Sequence, residues 1–128
     1  MFDHVKFGVS DFAASKAFFA RALEPIGVAI VAEGSPEYGV ELCGAGKASL
    51  CLFQTAEKPA HLHLAFVADN RQQVDAFYLA ALAAGATDNG APGLRPQYNA
   101  HYYAAFVIGP DGHNIEVVCQ QPALPNQT

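Results

Sequence analysis

Basic residues are scarce in this chain of 128 residues, and long apolar runs are absent. Only 7 Lys and Arg stand against 12 Asp and Glu, which gives a net charge of −5. Without a basic run, binding to nucleic acid or to an anionic membrane surface is not favoured. No apolar run reaches transmembrane length, and the N-terminus does not read as a signal peptide. We therefore expect a cytoplasmic protein with no nucleic-acid or membrane partner.

Cysteines are also few, and their spacing argues against a disulfide framework. Cys43, Cys51 and Cys119 are odd in number and form no CxxC pair. Each lies in or beside an apolar segment that is typical of a strand. We expect buried, reduced thiols, and we do not expect a catalytic cysteine.

Apolar residues, by contrast, are plentiful. They make up 52% of the chain and charged residues only 15%, which is ample for one folded domain. We predict a single domain over residues 1–128, with a flexible tail over residues 122–128.

The first half of the sequence recurs in the second half. A shift of 59 residues places His4 on His63, Ala17-Phe18-Phe19 on Ala76-Phe77-Tyr78, and Leu23 on Leu82. The repeat predicts two copies of one structural unit, covering about residues 3–56 and 60–121. It also predicts that His4 and His63 are related by pseudo-symmetry, which makes them candidates for a metal site.

Each unit has the pattern of a strand, a helix and three further strands. In the first unit, polar and apolar residues alternate over 4–10, and Asp11 can cap a helix that reaches about Leu23. In the second, a strand over 61–67 precedes a helix from Asn70 to about Ala84. The predicted fold class is α+β, with two tandem βαβββ units forming a curved, partly closed mixed sheet around a cleft and the helices outside.

A Gly- and Pro-rich loop over residues 90–100 lengthens the second unit relative to the first. Such a loop is a candidate for substrate contact. Arg95 and Tyr98 could bind an anionic or enolate oxygen there, although an ordinary surface loop has the same composition.

Alternation along the strands predicts which side chains face the cleft. Val5 and Phe7 should face the helix, so that His4 and, in the second unit, His63 face the cleft. In the final hairpin, a turn that pairs Gly109 with Gly112 would place Ala105 opposite Glu116.

The same register puts two further side chains on the cleft face. Tyr103 would lie opposite Val118, and His101 would share its face. These two residues are therefore the predicted catalytic groups, which could orient or protonate a substrate. An aromatic cleft wall without a chemical role is the alternative.

Three candidate ligands result, namely His4, His63 and Glu116. Gly112 matches Gly46 at a shift of 66 residues, since the second unit carries a longer loop, and the same shift places Leu50 where the second unit has Glu116. A fourth ligand is therefore absent. Three protein ligands with an open position are typical of a catalytic site. Two histidines and a carboxylate suit a divalent ion such as Fe, Mn, Ni, Co or Zn.

Other assignments remain open at this point. His61 could be the ligand in place of His63 or could support it. Glu37 or Glu41 could supply a base on the face of Leu50. The three polar residues could also line a cleft that holds no metal.

The pattern resembles the vicinal oxygen chelate superfamily, which includes glyoxalase I, extradiol dioxygenases and bleomycin-binding proteins. Its residues here are His4-Val5-Lys6-Phe7-Gly8-Val9-Ser10-Asp11, His63-Leu64-Ala65-Phe66 and Gly109-Pro110-Asp111-Gly112-His113-Asn114-Ile115-Glu116. The resemblance implies a metal held by His4, His63 and Glu116, and a homodimer. It leaves the reaction open, because the fold serves isomerases, oxygenases, transferases and binding proteins.

Two classes of function follow. The first is a metal-dependent enzyme that acts on a small oxygen-chelating substrate, with lactoylglutathione lyase-like isomerase or lyase chemistry favoured and extradiol-type oxygenation as the alternative. The second is a non-catalytic protein of the bleomycin-resistance type that binds a small molecule.

Overall fold

A computed structural model describes residues 1–46 and 48–123. Within these residues, two helices and nine strands follow one another, and each unit begins with a strand and a helix as predicted. The first unit then has the predicted three strands, and the second has one short strand more. The helices are α1 (Phe12–Ala22) and α2 (Arg71–Ala83). The strands are β1 (His4–Val9), β2 (Ala29–Glu33), β3 (Val40–Cys43), β4 (Ser49–Gln54), β5 (His63–Val67), β6 (Thr87–Asp88), β7 (Gly93–Leu94), β8 (Tyr103–Ile108) and β9 (Asn114–Cys119).

The strands form two separate mixed sheets with the same internal order. Sheet 1 runs β1-β4-β3-β2, and sheet 2 runs β5-β9-β8-β6, with β7 also paired to β8. The first and last strands of each unit are parallel neighbours, and the remaining pairs are antiparallel. The predicted α+β fold of two tandem βαβββ units is confirmed, and the sheets are not closed into a barrel.

Both helices begin at the predicted caps. The Asp11 side chain accepts a hydrogen bond from the Ala14 N–H at 3.1 Å. Asn70 accepts one from the Gln73 N–H at 2.9 Å. These bonds satisfy donors that the first helical turn leaves without an internal partner.

The core lies between the sheets and the helices. Phe19 of α1 and Phe77 of α2 are fully buried, as are Leu52 and Ile115 on the apolar faces of the two sheets. The helices also contact each other, and α2 contacts the short 3₁₀ turn Glu24–Ile26 of the first unit. The two units therefore share one core.

The register predicted for the final hairpin is wrong by one residue. Gly109 pairs with His113 rather than with Gly112, because Asp111 and Gly112 adopt positive φ angles of 62° and 79° and add a residue to the turn. Phe106, not Ala105, consequently lies opposite Glu116. Tyr103 lies opposite Cys119 and shares the helix-facing side of the sheet.

The assignment of Leu50 as the counterpart of Glu116 is also corrected by the register. In sheet 2, Glu116 pairs with Ala65, two residues after His63. In sheet 1, the residue that pairs with Lys6, two residues after His4, is Cys51. Leu50 pairs with Val5 and belongs to the buried core. Cys51 therefore occupies the position in the first unit that Glu116 occupies in the second.

The cysteines carry free thiols in the structure. Cys119 is buried, and Cys43 and Cys51 are partly buried. The predicted tail, residues 122–128, lies largely outside the described part of the chain. None of the described helices is long and apolar enough to cross a membrane.

Candidate functional site

The centre of the candidate site is Glu116, a carboxylate buried in the middle of sheet 2. Only 2% of its surface is exposed. Its Oε1 atom lies 2.8 Å from His63 Nε2, and its Oε2 atom accepts a hydrogen bond from the Tyr102 hydroxyl. Both carboxylate oxygens therefore have partners, as burial of a charged group requires. The His63 side chain is 54% exposed, so the pair opens to solvent on the His63 side.

Tyr102 was missed by the sequence analysis, because it precedes β8 and the predicted register pointed to Tyr103. Burial is the main cause that raises the Tyr102 pKa to about 12, and the hydrogen bond to Glu116 adds to it. The phenol therefore keeps its proton near neutral pH and acts as a donor rather than as a base.

The loop over residues 90–100 packs against this site. The Arg95 guanidinium lies 5.4 Å above the Phe106 ring, and the Phe106 and His63 ring centroids are 6.2 Å apart. Arg95 also donates hydrogen bonds of 2.8 Å to the carbonyls of Ala91 and Gly93. The predicted substrate-binding arginine is thus anchored to its own loop, beside the ring that faces Glu116.

Tyr98, the other predicted substrate-binding residue, lies at the outer edge of the same region. Its ring centroid is 4.9 Å from that of Tyr102, and 61% of the residue is exposed. Phe106, Tyr98 and Tyr102 together give the second unit an aromatic surface around Glu116.

The cleft position predicted for Tyr103 is wrong. Its hydroxyl donates a 2.6 Å hydrogen bond to Asp75 on α2, and Arg71 stacks 5.1 Å from the centre of its ring. Burial, followed by the bond to Asp75, raises the Tyr103 pKa to about 12. His101 is exposed, and its backbone N–H donates to Asn99 Oδ1 at 3.0 Å.

His4 lies on sheet 1, away from this pair. Its side chain is 55% exposed and its Nδ1 atom lies 2.7 Å from Asp3. No three His, Cys, Asp or Glu side chains within residues 1–46 and 48–123 are placed to hold a metal ion together. Of the three predicted ligands, only His63 and Glu116 are brought together within one chain.

The chemistry of this pair fits half of a metal site. Ligand atoms at bond lengths of about 2.0–2.2 Å in neighbouring positions on one ion are themselves about 3 Å apart. His63 Nε2 and Glu116 Oε1 have this separation. A complete site needs at least one further protein donor.

Comparison of the sequence with known protein families identifies the superfamily of this chain. The sequence profile of the Glyoxalase/Bleomycin resistance protein/Dioxygenase superfamily matches residues 1–117. The chain belongs to this superfamily. No curated protein matches the chain.

Several solved structures have the same fold as this chain. A glyoxalase/bleomycin resistance protein from Albidiferax ferrireducens T118 is 28% identical, with a TM-score of 0.79 over 95% of this chain and 99% of that chain. A lactoylglutathione lyase from Agrobacterium tumefaciens is 19% identical, with a TM-score of 0.68 over 93% and 92%. Oxidase ChaP-H2 is also 19% identical, with a TM-score of 0.67 over 96% and 94%. Solved structures with this fold thus include both a lactoylglutathione lyase and an oxidase.

Proposed function

We propose that this chain is a metal-dependent enzyme that acts on a small oxygen-chelating substrate by isomerase or lyase chemistry. His63 and Glu116 of one copy and His4 of a second copy would bind the divalent ion. The observation that carries the proposal is the buried Glu116 carboxylate, held against a half-exposed histidine.

A second copy is proposed because one chain supplies only part of the ligand set. β1 and β5, which carry His4 and His63, are both edge strands of their sheets. The edge of β1 can therefore approach the edge of β5 in another copy. In a twofold-symmetric dimer, His4 of each chain would meet His63 and Glu116 of the other.

Tyr102 would orient the Glu116 carboxylate toward the ion. Tyr102 fixes the Glu116 carboxylate through one oxygen, which leaves Oε1 directed toward His63. A bound divalent ion would supply Lewis-acid stabilisation of a developing enolate or oxyanion.

A base for such a reaction is available on the other unit. Glu41 accepts a 2.7 Å hydrogen bond from the Ser49 hydroxyl. With His4, Lys6 and Cys51 it lines a cavity of about 260 Å³. We assign Glu41 the role of accepting a substrate proton, while Lys6 in the same cavity favours a substrate with anionic oxygens.

Two other functions share these residues. Extradiol-type oxygenation uses the same ligand types, and an oxidase has the same fold. Non-catalytic binding of a small molecule is favoured by a different observation, namely that His63 and Glu116 already satisfy each other within one chain.

Metal content and subunit mixing test the proposal together. Purified without chelator and soaked in Mn²⁺ or Co²⁺, the protein should bind about one ion per chain, and His63→Ala and Glu116→Gln should each abolish binding. His101→Ala is the matched control and should bind normally.

Mixing then tests whether the site is shared. After dissociation and random reassociation of equal amounts of His4→Ala and His63→Ala chains, about a quarter of the wild-type sites should reappear, in heterodimers only. If mixing restores no binding although each wild-type chain holds an ion, the shared site is refuted. If wild-type protein binds no ion, the enzyme proposal fails in favour of the binding protein. Oxygen consumption with a catechol by the iron-loaded protein would favour the oxygenase.

A further inference from the structure

Cys51 is related to His4 in sheet 1 as Glu116 is related to His63 in sheet 2. In both sheets, the second residue of the pair belongs to the last strand of its unit and lies beside the position two residues after the histidine. In sheet 2 this relation brings the histidine Nε2 atom within 2.8 Å of the carboxylate. Residues two apart along a strand share a face, so Cys51 and His4 also project from one face of sheet 1.

The Cys51 thiol lies in the cavity of about 260 Å³ that His4 also lines. Cys51 is partly buried and its thiol is free. The other two cysteines are placed differently. Cys43 Sγ donates to the carbonyl of Gly46 in its own loop at 3.3 Å, and Cys119 is 1% exposed in the core. Cys51 is therefore the thiol that shares a cavity with His4.

The ammonium group of Lys6, the neighbour of Cys51 on β1, is directed away from this pair. Its Nζ atom lies 5.5 Å from the centre of the Phe53 ring and donates to the Tyr38 carbonyl at 3.4 Å. Phe53 lies two residues beyond Cys51 on β4, in the direction that leads away from His4. A cation between His4 and Cys51 would therefore not displace the ammonium group.

We infer that the Cys51 thiolate is the fourth protein ligand of the divalent ion. One copy would supply His4 and Cys51, and the other copy would supply His63 and Glu116. The inference rests on the proposed function, because it adds Cys51 to the metal site shared by two copies. Histidine, carboxylate and thiolate are all donors that Zn²⁺ accepts. A thiolate is a soft ligand, so the site would favour Zn²⁺ over Mn²⁺.

Cobalt binding tests this directly, because a thiolate bound to Co²⁺ gives a charge-transfer absorption band in the near ultraviolet that histidine and carboxylate ligands do not give. The reduced wild-type protein should show the band. Cys51→Ser should lose the band and bind Co²⁺ at least about tenfold more weakly, since even residues that only support metal ligands change affinity by about 10–100-fold. Cys43→Ser, the same change on the neighbouring strand, should keep both the band and the affinity.

A second variant and a second measurement keep the test decisive if Cys51→Ser does not fold. Cys51→Asp supplies an oxygen ligand instead, and should bind Co²⁺ without the band. In the wild type, Zn²⁺ at about ten times its Kd should slow alkylation of Cys51 by iodoacetamide about tenfold, because mass action leaves about a tenth of the sites free and the free thiolate is the species that reacts. Alkylation of Cys43 should not change.

Subunit mixing tests which copy supplies Cys51. After random reassociation of Cys51→Ser and His63→Ala chains, about a quarter of the wild-type band should reappear, because each heterodimer holds one complete site. Mixing Cys51→Ser with His4→Ala should restore nothing, because both changes then fall on the same half of the site. The opposite pattern would refute the assignment of His4 and Cys51 to one copy.

Three results would overturn the inference. These are a cobalt complex of the wild type without the band, a band that persists in Cys51→Ser, and loss of affinity in Glu41→Gln but not in Cys51→Ser. The last result would give the fourth position to Glu41, which lies opposite Cys51 on β3.

His63→Ala separates this inference from the proposed function. If the wild type binds Co²⁺ without the band and His63→Ala does not bind it, only the assignment of Cys51 fails. If His63→Ala and Glu116→Gln bind Co²⁺ with the band as the wild type does, the ligand set of the proposed function fails, and Cys51 belongs to a different site. If the wild type binds no ion, both statements fail.

Discussion

His63 Nε2 lies 2.8 Å from Glu116 Oε1, and the two residues come from neighbouring parallel strands, β5 and β9. They are 53 positions apart in the sequence. The contact depends on the parallel pairing in which Ala65 lies beside Glu116, because this places His63 and Glu116 on one face of the sheet. The same pairing in sheet 1 brings His4 to the face of Cys51, so the two units carry related but unequal groups.

Removing the Tyr102 hydroxyl should destabilise the fold. Tyr102→Phe deletes the donor to Glu116 Oε2 and leaves one oxygen of a buried carboxylate without that bond. We expect the free energy of unfolding to fall by about 1–2 kcal/mol. Urea denaturation followed by circular dichroism measures this change. Tyr98→Phe, which keeps the stacked ring and alters an exposed residue, should change stability by less than about 0.5 kcal/mol. Equal effects in both variants would contradict a special role for the Tyr102 bond.

Acidification should destabilise the protein through His113. This residue is 1% exposed, and its Nδ1 atom accepts a hydrogen bond from the Leu62 N–H at 3.0 Å, so the folded protein holds it neutral. Burial is the main cause that lowers its pKa below the usual 6.5, and the nearby His61 lowers it further, while Asp111 opposes the shift. Below pH 6.5 the unfolded chain therefore binds the proton more readily than the folded chain does.

The sign of the effect follows from this linkage. The contribution of neutral His113 to the free energy of unfolding is fully present above pH 6.5. This contribution is lost as the pH falls from 6.5 toward the lowered pKa of the folded state. His113→Asn keeps an acceptor for Leu62 and removes the titration. Its unfolding free energy should depend less on pH in this window than that of the wild type. Parallel pH profiles for the two proteins would refute the assignment.

The sequence was sufficient for the order of most elements and for the face of the sheet that His63 and Glu116 share. Asp11 and Asn70 carry capping side chains at the helix starts. The alternation around His63 and Glu116 places both on the face opposite the core. These features depend on local pattern and on strand parity, both of which can be read from a single sequence.

Two positions could not be predicted because each depends on one extra residue in a turn. The left-handed conformation of Asp111 lengthens the last hairpin, and this exchanges Tyr103 for Tyr102 beside Glu116. Matching Gly112 to Gly46 likewise selected Leu50, whereas the strand register selects Cys51. A shift of one residue moves every side chain of a strand to the other face of the sheet. An error of one residue in a turn therefore assigns the whole strand to the wrong face.

A glycine in sheet 1 gives a sharp test of backbone geometry. Gly39 has a φ of 111°, and a Cβ atom placed there would lie 2.2 Å from the carbonyl oxygen of Leu52. Gly39→Ala should therefore lower the unfolding free energy by at least about 3 kcal/mol, since the backbone must move in addition to being strained. Gly85 has a similar φ of 103°, but a Cβ atom placed there would have nothing within 4 Å, so Gly85→Ala should cost only about 1 kcal/mol. Thermal unfolding of both variants shows whether the close approach to the Leu52 carbonyl oxygen or the positive φ causes the loss of stability at position 39. If both variants lose the same unfolding free energy, the close approach is not the cause.

Asp111 joins the last hairpin to the first unit and should be sensitive to substitution in two ways. Its Oδ2 atom accepts from the Ser10 N–H at 3.0 Å and its Oδ1 atom accepts from the Ser10 hydroxyl. Its φ of 62° is a conformation that Asp and Asn tolerate better than Ala. Asp111→Ala should therefore lose both bonds and add backbone strain, for a total of about 2 kcal/mol. Asp111→Asn keeps the conformation and one acceptor and should cost about half as much.

Ser10→Ala separates the hydrogen bonds from the strain. It removes only the hydroxyl bond to Asp111, so its cost should be smaller than that of Asp111→Ala. In the double variant with Asp111→Ala the two costs should not add, because both changes remove the same interaction. Urea denaturation of the three variants at a constant denaturant slope provides the measurement. Full additivity would mean that the bond between the units contributes nothing and that the cost of Asp111→Ala comes from the turn alone.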